Sequence, residues 1–346
     1  MPPILTFSSP APSRARFRVA ASAVVGAPGH SPNDFPSFLP RAVESIRDGA
    51  AIRLAKRIER VPVQTGFSTI PILSSCVRPF NRQQSSDPVV LLHGFDSSCL
   101  EWRYTYPLLE DAGLEAWAVD VLGWGFSNLE TRPPCDTMSK REHLYQFWRS
   151  YIKRPMTLVG SSLGAAVAID FAVNHPEAVS KLIFIGASVY AEGTRDMTGV
   201  PKFVPYAGAF VLKSLPLRVL ATHLTFYKTP DEFFESVQIG RLHCLLPWWE
   251  DATVHFMITG GYNVVNQINQ QKCLVLWGED DGIISNKEAF RLQQELPSAI
   301  LRQVNQCGHI PHLEKPREAV RHMLEFLQSD NPKKAERASS LSSNFR

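Results

Sequence analysis

The sequence predicts an α/β domain in which a mostly parallel central sheet carries helices on both faces and a helical cap is inserted late in the chain. Two observations predict this fold class. Short apolar runs alternate with helical patterns over residues 61–189 and again over 266–329, which is typical of a parallel sheet with crossover helices. Between them, residues 190–265 are rich in aromatic side chains and follow helical periodicity. We expect this segment to cover the carboxyl edge of the sheet.

Composition and charge argue against several classes of protein. The 346 residues carry a formal charge of only +3 and no basic stripe with interleaved aromatics, so nucleic acid is not an expected partner. No apolar run approaches the roughly 20 residues of a transmembrane helix. Gly123 and Gly125 lack the third glycine of a dinucleotide fingerprint, and we expect no cofactor. The cysteines lack C-x-x-C spacing, which predicts neither a metal site nor a disulfide framework. They are Cys76, Cys99, Cys135, Cys244, Cys273 and Cys307.

Residues 1–40 have the composition of an organelle transit peptide. They are rich in Ser, Pro and Ala, include Arg14, Arg16 and Arg18, and contain no acidic residue before Asp34. The high Ser and Pro content favours a chloroplast location, in the stroma or associated with thylakoids. The alternative is a disordered extension that carries no address. Residues 330–346 are rich in Ser and charge and are also expected to be disordered.

Residues 41–60 are predicted to form one amphipathic helix. Val43, Ile46, Ala50, Leu54 and Ile58 fall near one face, and the other side is basic. We expect this helix to pack on the domain. Peripheral contact of its basic side with an anionic membrane surface is the alternative.

The apolar run Val89–Leu92 predicts a strand that ends at the sequence His-Gly-Phe-Asp. In a serine hydrolase of this architecture, the loop after the third strand supplies a backbone N–H group to the oxyanion hole. Gly94 allows the backbone to turn toward the nucleophile, so the N–H of Phe95 is the first predicted donor. The second is the N–H of Leu163, which follows the candidate nucleophile.

Residues 160–164 read Gly-Ser-Ser-Leu-Gly and stand between an apolar strand and a helix of small apolar residues. This pattern is typical of a nucleophile elbow, in which a sharp strand-to-helix turn lifts a serine hydroxyl clear of the sheet. Glycines two residues to either side let the strand and the helix pass closely. Ser162 has Gly160 and Gly164 at those positions, whereas Ser161 has a valine and a leucine. Ser162 is therefore the candidate nucleophile.

Two later strands end in candidate acids and bases. The strand at residues 273–277 leads to Asp280 and Asp281, and the last strand leads to His309 and His312. A serine followed by an acid and then a histidine is the chain order of the triad in this architecture. The histidine would remove the serine proton, and the acid would orient and stabilise the imidazole.

These motifs resemble those of the α/β-hydrolase superfamily, in particular its capped serine-hydrolase branch, and the chain is similar to plant chloroplast members. The resemblance implies the α/β-hydrolase fold and rests on residues 93–95, 120–127, 160–164, 277–281 and 308–316. It selects Asp281, which stands three residues after the glycine of the Trp-Gly pair, and His309, which follows its glycine directly. His312 is then expected to hydrogen-bond near Glu314.

The resemblance implies hydrolysis of a carboxylic ester through a Ser162 acyl-enzyme, with His309 as general base and Asp281 as the orienting acid. A serine at the apex argues against the epoxide hydrolases and haloalkane dehalogenases of this branch, which use a carboxylate there. A carbon–carbon bond hydrolase with the same triad and a low-turnover ligand-binding or sensor protein are the alternatives. The aromatic cap indicates an apolar, small-molecule ester as substrate, which leaves a lipid-like ester, an isoprenoid or pigment ester and an aromatic acid derivative open. Packing of the cap onto the core is the alternative role of these aromatic side chains. The sequence predicts no particular oligomeric state.

Overall fold

The computed structural model of the chain describes residues 34–82, 86–191, 193, 195–197, 199–267, 272–296 and 298–329. Most of the predicted transit-like segment, up to residue 33, lies outside the described residues, and so does the predicted disordered tail from residue 330. Both stay predictions, as does the chloroplast location.

Eight strands of the described residues form one mixed, mostly parallel sheet. The strands are β1 (Ile58–Val63), β2 (Ile72–Val77), β3 (Val89–Leu92), β4 (Ala116–Val119), β5 (Met156–Ser161), β6 (Val179–Ile185), β9 (Cys273–Gly278) and β10 (Ile300–Val304), while β7 (Arg195–Asp196) and β8 (Thr259–Gly260) form a separate antiparallel pair. The spatial order is β1-β2-β4-β3-β5-β6-β9-β10. β2 runs antiparallel to both of its neighbours, and the six strands from β4 to β10 are parallel. The predicted mostly parallel sheet is confirmed.

Helices cover both faces of this sheet. They are α1 (Gly49–Ala55), α2 (Thr105–Asp111), α3 (Thr137–Phe147), α4 (Leu163–Asn174), α5 (Phe203–Lys213), α6 (Leu215–Thr225), α7 (Phe233–Arg241), α8 (Trp249–Ile258), α9 (Asn286–Glu295), α10 (Pro311–Glu314) and α11 (Pro316–Gln328). One core layer contains residues of α3, α4 and α9, and the other contains residues of α1, α2 and α11. Along β3, Val90 and Leu92 face the first layer while Val89 and Leu91 face the second, as the twofold period of a strand requires. The strand before the predicted oxyanion loop is thus buried on both faces.

The predicted cap segment, residues 190–265, contains the four helices α5 to α8. α5 packs against α8, and α6 packs against α7. Ala209 of α5 and Trp249 of α8 are buried in the core, whereas no residue of α6 is fully buried. Because the segment is inserted after β6, it begins at the carboxyl ends of the parallel strands, the edge at which α/β sheets bind ligands.

The prediction of a single helix over residues 41–60 is wrong. The chain forms a 3-10 turn at Arg41–Ser45, becomes extended at Ile46, continues as the short helix α1 and enters β1 at Ile58. Val43, Ile46, Leu54 and Ile58 are nevertheless buried, because each short element turns its own apolar residues toward the core. The apolar spacing thus identified four buried positions correctly. It was wrong about the backbone conformation and about Ala50, which is only half-buried whereas Ala51 is buried.

Two carboxylates account for this break. The Asp48 side chain caps α1 by accepting the N–H groups of Ala50 and Ala51 at 2.8 and 3.1 Å, a bond that requires a non-helical residue at the cap. The Glu235 carboxylate of α7 accepts the N–H groups of Arg47 and Asp48. These backbone groups therefore bond across the chain rather than within a helix.

The prediction of disorder up to residue 40 is also wrong for residues 35–40. Leu39 is buried, and Phe35 and Phe38 pack against the core layer that contains α1 and α2. The Arg60 guanidinium of β1 lies 4.3 Å from the centroid of the Phe38 ring, a favourable cation–π distance. Arg57 also pairs with Glu110 at 2.6 Å. Two arginines from the basic side of the predicted helix therefore contact other residues of the domain.

His143 of α3 should make the stability of the fold depend on pH. Its ring is buried against Ser74 of β2, and burial together with the charge of Lys140 lowers its pKa to about 3. The unfolded chain binds a proton there below about pH 6.5, so this contribution is fully present above that pH and is lost as the pH falls. We expect this residue to lower the free energy of unfolding by about 1 kcal/mol per pH unit between about pH 6 and 5. Urea unfolding at several pH values measures the free energy of unfolding of wild type and His143→Gln. The same dependence of that free energy on pH in both proteins would contradict the prediction.

Candidate active site

Ser162 lies at the turn between β5 and α4 in a strained backbone conformation, with φ 50° and ψ −115°. Residues with a side chain rarely adopt a positive φ. The N–H of Ser162 donates to the carbonyl of Ile185 in β6 at 2.8 Å, and its own carbonyl accepts the N–H of Ser188 at 3.1 Å. The neighbouring strand thus holds the turn in place. This is the geometry of a nucleophile elbow.

The two elbow glycines leave no room for a side chain. A Cβ atom at Gly160 would lie 2.3 Å from the carbonyl carbon of Gly164, and one at Gly164 would lie 2.6 Å from the carbonyl oxygen of Leu92 in β3. Helix α4 therefore crosses β5 and β3 at backbone contact, which brings its first turn close to the end of β3. Gly94 is less constrained, because a Cβ atom there would meet the Cβ of Ser162 at 3.4 Å, an ordinary contact.

Asp281 and His309 meet at the same edge of the sheet. Nδ1 of His309 lies 2.8 Å from Oδ2 of Asp281. The other carboxylate oxygen accepts the N–H groups of Ile283 and Ile284 at 2.8 and 2.9 Å, which fixes its orientation. Since Nδ1 donates to the carboxylate, Nε2 is left as the proton acceptor of a neutral ring. The backbone N–H of His309 donates to Thr225 at 2.8 Å, so the end of α6 helps to position the histidine.

Asp280, the other candidate acid, points to a different environment. It is exposed to solvent, whereas the side chain of Asp281 is fully buried. A buried carboxylate at hydrogen-bond distance from an imidazole can fix its tautomer and stabilise its positive charge, and an exposed one cannot. The geometry therefore favours Asp281.

The predicted oxyanion donors, the N–H groups of Phe95 and Leu163, lie just after β3 and just after Ser162. Within the described part of the chain, neither group donates to a protein acceptor. Leu163 is the first residue of α4, where backbone N–H groups have no partner inside the helix. Phe95 lines a cavity together with Ser162 and His309. Two such donors beside a serine could receive the oxyanion of an acyl-transfer reaction.

Glu101 supports the loop of Gly94 and Phe95, and no local sequence pattern marks it as a site residue. One carboxylate oxygen accepts the N–H of Gly94 at 3.0 Å, and the other lies 3.0 Å from Nε2 of His312. The prediction that His312 hydrogen-bonds near Glu314 is therefore wrong. His312 contacts Glu101, and Glu314 accepts the N–H of Gly308 at 2.8 Å. Burial alone would raise the pKa of Glu101, but the hydrogen bond and the charge of His312 outweigh it and lower the pKa to about 2. An ionised Glu101 connects the loop that contains Gly94 and Phe95, here called the predicted oxyanion loop, to the segment that follows His309.

Residues 89–322 match the family described as the Alpha/beta hydrolase family. The chain belongs to the α/β-hydrolase family. It is also 51% identical over 327 residues, covering 93% of this chain and 97% of the relative, to the Alpha/beta hydrolase domain-containing protein VTE7 of Arabidopsis thaliana. The predicted superfamily is thus confirmed.

Other relatives of this α/β-hydrolase carry the names of hydrolytic enzymes. Human monoacylglycerol lipase ABHD6 is 24% identical over 71% of this chain and 78% of its own length. Two solved structures show the same fold. A thermophilic esterase from Thermogutta terrifontis has a TM-score of 0.63 at 18% identity, covering 78% of this chain and 98% of the esterase. The BphD hydrolase of Rhodococcus sp. strain RHA1 has a TM-score of 0.60 at 21% identity, covering 78% and 99%.

Asp96 joins the oxyanion loop of this α/β-hydrolase to the cap. It is buried, with φ 51°, and its carboxylate contacts Nε2 of His243 at 2.9 Å, Nε1 of Trp249 at 2.7 Å and the guanidinium of Arg218. Burial alone would raise the pKa of Asp96, but the hydrogen bond and charge of His243, with the charge of Arg218, lower it. The residue next to Phe95 is therefore held by three cap side chains. No sequence signal marked it, because these partners lie more than a hundred residues further along the chain.

The same cluster could be mistaken for a metal centre. Donor atoms of Asp96, His243 and Cys244 lie within 4.8 Å of one another. However, the Arg218 guanidinium contacts Asp96 and lies 3.0 Å from Sγ of Cys244, so a metal cation would meet a positive charge. Burial raises the pKa of the Cys244 thiol, whereas a metal binds the thiolate. The cluster is better described as a buried ion-pair network.

Replacing Asp96 with asparagine is expected to loosen the oxyanion loop. Arg218, whose side chain is only 12% exposed, would lose its counter-charge, at a cost of about 3 to 5 kcal/mol in stability. If the Phe95 N–H is an oxyanion donor, its displacement should lower kcat of acyl transfer at Ser162 by about 10- to 100-fold, with a smaller change in KM. Steady-state kinetics and denaturant unfolding measure the two effects separately. A destabilised variant with an unchanged kcat would contradict a role in the reaction.

The cavity that Ser162 and His309 line has a volume of 310 Å³ and lies beneath α6. This is near the lower end of the volumes of small-molecule sites. A separate cavity of 410 Å³, between Leu129, Tyr206 and His255, is larger. Because no triad candidate lines that second cavity, the volume of a cavity alone does not identify the candidate active site.

Proposed function

We propose that this protein hydrolyses a carboxylic ester through an acyl-enzyme on Ser162, with His309 as general base and Asp281 as the acid that orients it. The proposal rests on one observation. A histidine hydrogen-bonded at 2.8 Å to a buried carboxylate shares a cavity with a serine held at φ 50° in a nucleophile elbow. The esterases and lipases among the relatives of the chain support the same reaction class.

In the proposed reaction, Nε2 of His309 takes the hydroxyl proton as Oγ of Ser162 attacks the ester carbonyl. The N–H groups of Phe95 and Leu163 hold the oxyanion of the tetrahedral intermediate. His309 then protonates the leaving alcohol, and the acyl group stays on the serine. Water that loses its proton to His309 attacks the acyl carbonyl, which releases the acid and restores Ser162. Asp281 stabilises the imidazolium in both halves of the reaction.

The charges of the cavity favour a neutral substrate. Its two arginines already carry partners, since Arg103 pairs with Asp48 at 2.8 Å and Arg218 pairs with Asp96. Apolar side chains complete much of the remaining wall: Leu100, Ala221, Val237, Ile239, Ile283 and Leu313. A charged substrate would have to be desolvated without gaining a free counter-ion. We therefore place the substrate among small, apolar, uncharged esters.

A carbon–carbon bond hydrolase is the second candidate. Several relatives bear such names, including the 2-hydroxy-6-oxo-2,4-heptadienoate hydrolase of Pseudomonas putida, which is 23% identical over 71% of this chain and 91% of its own length. The substrate in that name is a carboxylate, and the paired state of Arg103 and Arg218 favours the neutral ester for this chain. Parallel assays with short-chain nitrophenyl esters and with a 2-hydroxy-6-oxo-dienoate distinguish the two reactions.

A serine-reactive fluorophosphonate probe tests the proposal directly. We expect the probe to label the full chain, the modified peptide to be the one that contains Ser162, and hydrolysis of a nitrophenyl ester to stop as labelling proceeds. Competition by apolar esters of increasing acyl length then reports the size of the cavity. Labelling without any ester turnover would instead support a low-turnover binding protein, and the absence of labelling would contradict an activated serine.

A plastid location belongs to the same proposal. It is supported by the acid-free, Arg-bearing composition of residues 1–33 and by the similarity to a plant protein over 93% of the chain. Import of the full chain into isolated chloroplasts, with removal of an N-terminal segment, is the expected result. A chain that stays outside and uncleaved would contradict this location.

A further inference from the structure

We propose that the outward face of α5 and α6 docks on an anionic lipid bilayer and places the mouth of the Ser162 cavity against the membrane. The α5–α6 face is defined here by Phe203, Ala207, Phe210 and Val211 of α5 and by Leu220 and Leu224 of α6. The docking itself does not depend on ester hydrolysis. Delivery of an apolar substrate from the bilayer to Ser162 rests on the proposed function.

The exposed side of α5 is apolar where a surface helix is normally polar. Phe203 and Phe210 are 73% and 72% exposed, and Val211 is 54% exposed. With Ala207 they follow the spacing i, i+4, i+7 and i+8 of one helical face. The opposite face is the one that packs on the domain, since Pro205 and Ala209 are buried. Exposed large apolar side chains grouped on one helical face indicate a binding partner.

α6 separates the active-site cavity from this surface. Arg218, Ala221, Thr222 and Thr225 line the cavity at the spacing i, i+3, i+4 and i+7, so they form one face of the helix. Leu220 and Leu224 lie on the other side and are 52% and 45% exposed. A single helix thus has the cavity of Ser162 on one side and exposed leucines on the other.

The charge of the segment selects the kind of partner. Residues 197–230 contain Lys202, Lys213, Arg218 and Lys228 and no aspartate or glutamate. Arg218 is neutralised by Asp96, which leaves the three lysines as the charges within residues 197–230. Asp196 and Asp231 border this segment, and Asp251 accepts a hydrogen bond from Tyr206 of α5. Apolar side chains flanked by lysines bind at the interface of anionic membranes.

The arrangement of the helices indicates binding at the membrane surface. No single described helix is long and apolar enough to cross a bilayer, and α5 and α6 reach a comparable length and composition only as a pair bent by 64°. The inner side of α5 packs on the domain, since Ala209 belongs to the buried core. The pair can therefore immerse its outer face in the headgroup region while the rest of the domain stays in water.

A second copy of the chain fits this face less well. A twofold dimer places the same surface on both partners, so the interface would contain two sets of three lysines and no acid from residues 197–230. Phosphate groups of anionic lipids supply that missing counter-charge. The observations therefore favour a bilayer over self-association.

Flotation with lipid vesicles tests the proposal. The full chain should bind vesicles of phosphatidylcholine mixed with phosphatidylglycerol, and the double variant Phe203→Ser/Phe210→Ser should bind them at least about tenfold more weakly, because two exposed rings are lost. Phe290→Ser removes a less exposed phenylalanine, 46% exposed, from α9 outside the α5–α6 face. It serves as the control, with an expected change in vesicle binding below about twofold. Lys202→Glu/Lys228→Glu should weaken binding only to the vesicles that contain phosphatidylglycerol.

The same variants separate docking from catalysis. Hydrolysis of a water-soluble ester should be unchanged in the double phenylalanine variant, while hydrolysis of an ester embedded in the vesicles should fall with binding. If the wild type hydrolysed neither ester, the proposed function would be overturned. The flotation experiment would still test the docking surface. Equal flotation of wild type and the double variant would overturn the docking surface. The docking surface would also be overturned if the wild type did not bind vesicles but formed a dimer, and if the double variant were a monomer.

Discussion

Replacement of Ser162 by alanine is expected to lower kcat/KM for a soluble ester by about 10⁴- to 10⁶-fold. The variant loses the nucleophile, so neither the acyl-enzyme nor its hydrolysis can occur, and the free N–H groups of Phe95 and Leu163 leave only a residual rate. Alanine fits the space of serine, and the elbow is held by backbone bonds to Ile185 and Ser188. We therefore expect the folded structure to persist, and circular dichroism with steady-state kinetics measures both properties.

Ser161→Ala is the matched control, because it makes the same chemical change one residue earlier. Ser161 belongs to β5 and is buried, and its hydroxyl has no hydrogen-bond partner among the described residues. Removing an unpaired buried hydroxyl should be neutral or slightly stabilising. A rate within about tenfold of wild type is expected. Equal losses in the two variants would contradict the assignment of Ser162 as the nucleophile.

Replacement of Asp281 by asparagine is expected to lower kcat by about 10⁴-fold with little change in KM. The amide could donate to Nδ1 of His309, which would leave the proton on Nε2 and remove the base that faces Ser162. The two N–H groups that hold the carboxylate, from Ile283 and Ile284, would still find an oxygen acceptor. The loss should therefore appear in the rate of the reaction rather than in the fold.

Asp280→Asn provides the control for this variant. Asp280 is exposed, and its replacement should leave kcat within about twofold of wild type, because exposed charges interact weakly across solvent. The rate of labelling by the fluorophosphonate probe should likewise be close to wild type in Asp280→Asn and much lower in Asp281→Asn. If Asp280→Asn were the slower enzyme, the neighbouring carboxylate would be the orienting acid.

The sequence predicted the parts of the molecule that local patterns encode. The buried strands before the Phe95 loop and before Ser162 are short apolar runs, and the glycines around Ser162 follow from the close approach of α4 to β5. Chain order and the resemblance to a family together selected Asp281 and His309, and the structure brings these two side chains to 2.8 Å.

Interactions between distant segments were not predictable in this way. Glu235 accepts backbone N–H groups where the helix predicted by apolar spacing is broken, and it lies 188 residues from its partner at Arg47. Glu101 reaches His312 across 211 residues. Periodicity reports which face of an element is buried, but it carries no information on which side chain caps or anchors it. Such contacts are set by the packing of whole elements.

The Asp96 network makes the cap and the oxyanion loop a single mechanical unit. A substrate that entered by lifting α6 and α8 away from the domain would pull Arg218 and Trp249 from Asp96 and release the segment that presents the N–H of Phe95. The site could then hydrolyse the ester only after the cap had closed and its contacts with Asp96 had formed again. In the proposed reaction, the Asp96 contacts would therefore couple opening of the cap to displacement of the Phe95 N–H, so that the site would be incomplete whenever no ester is bound.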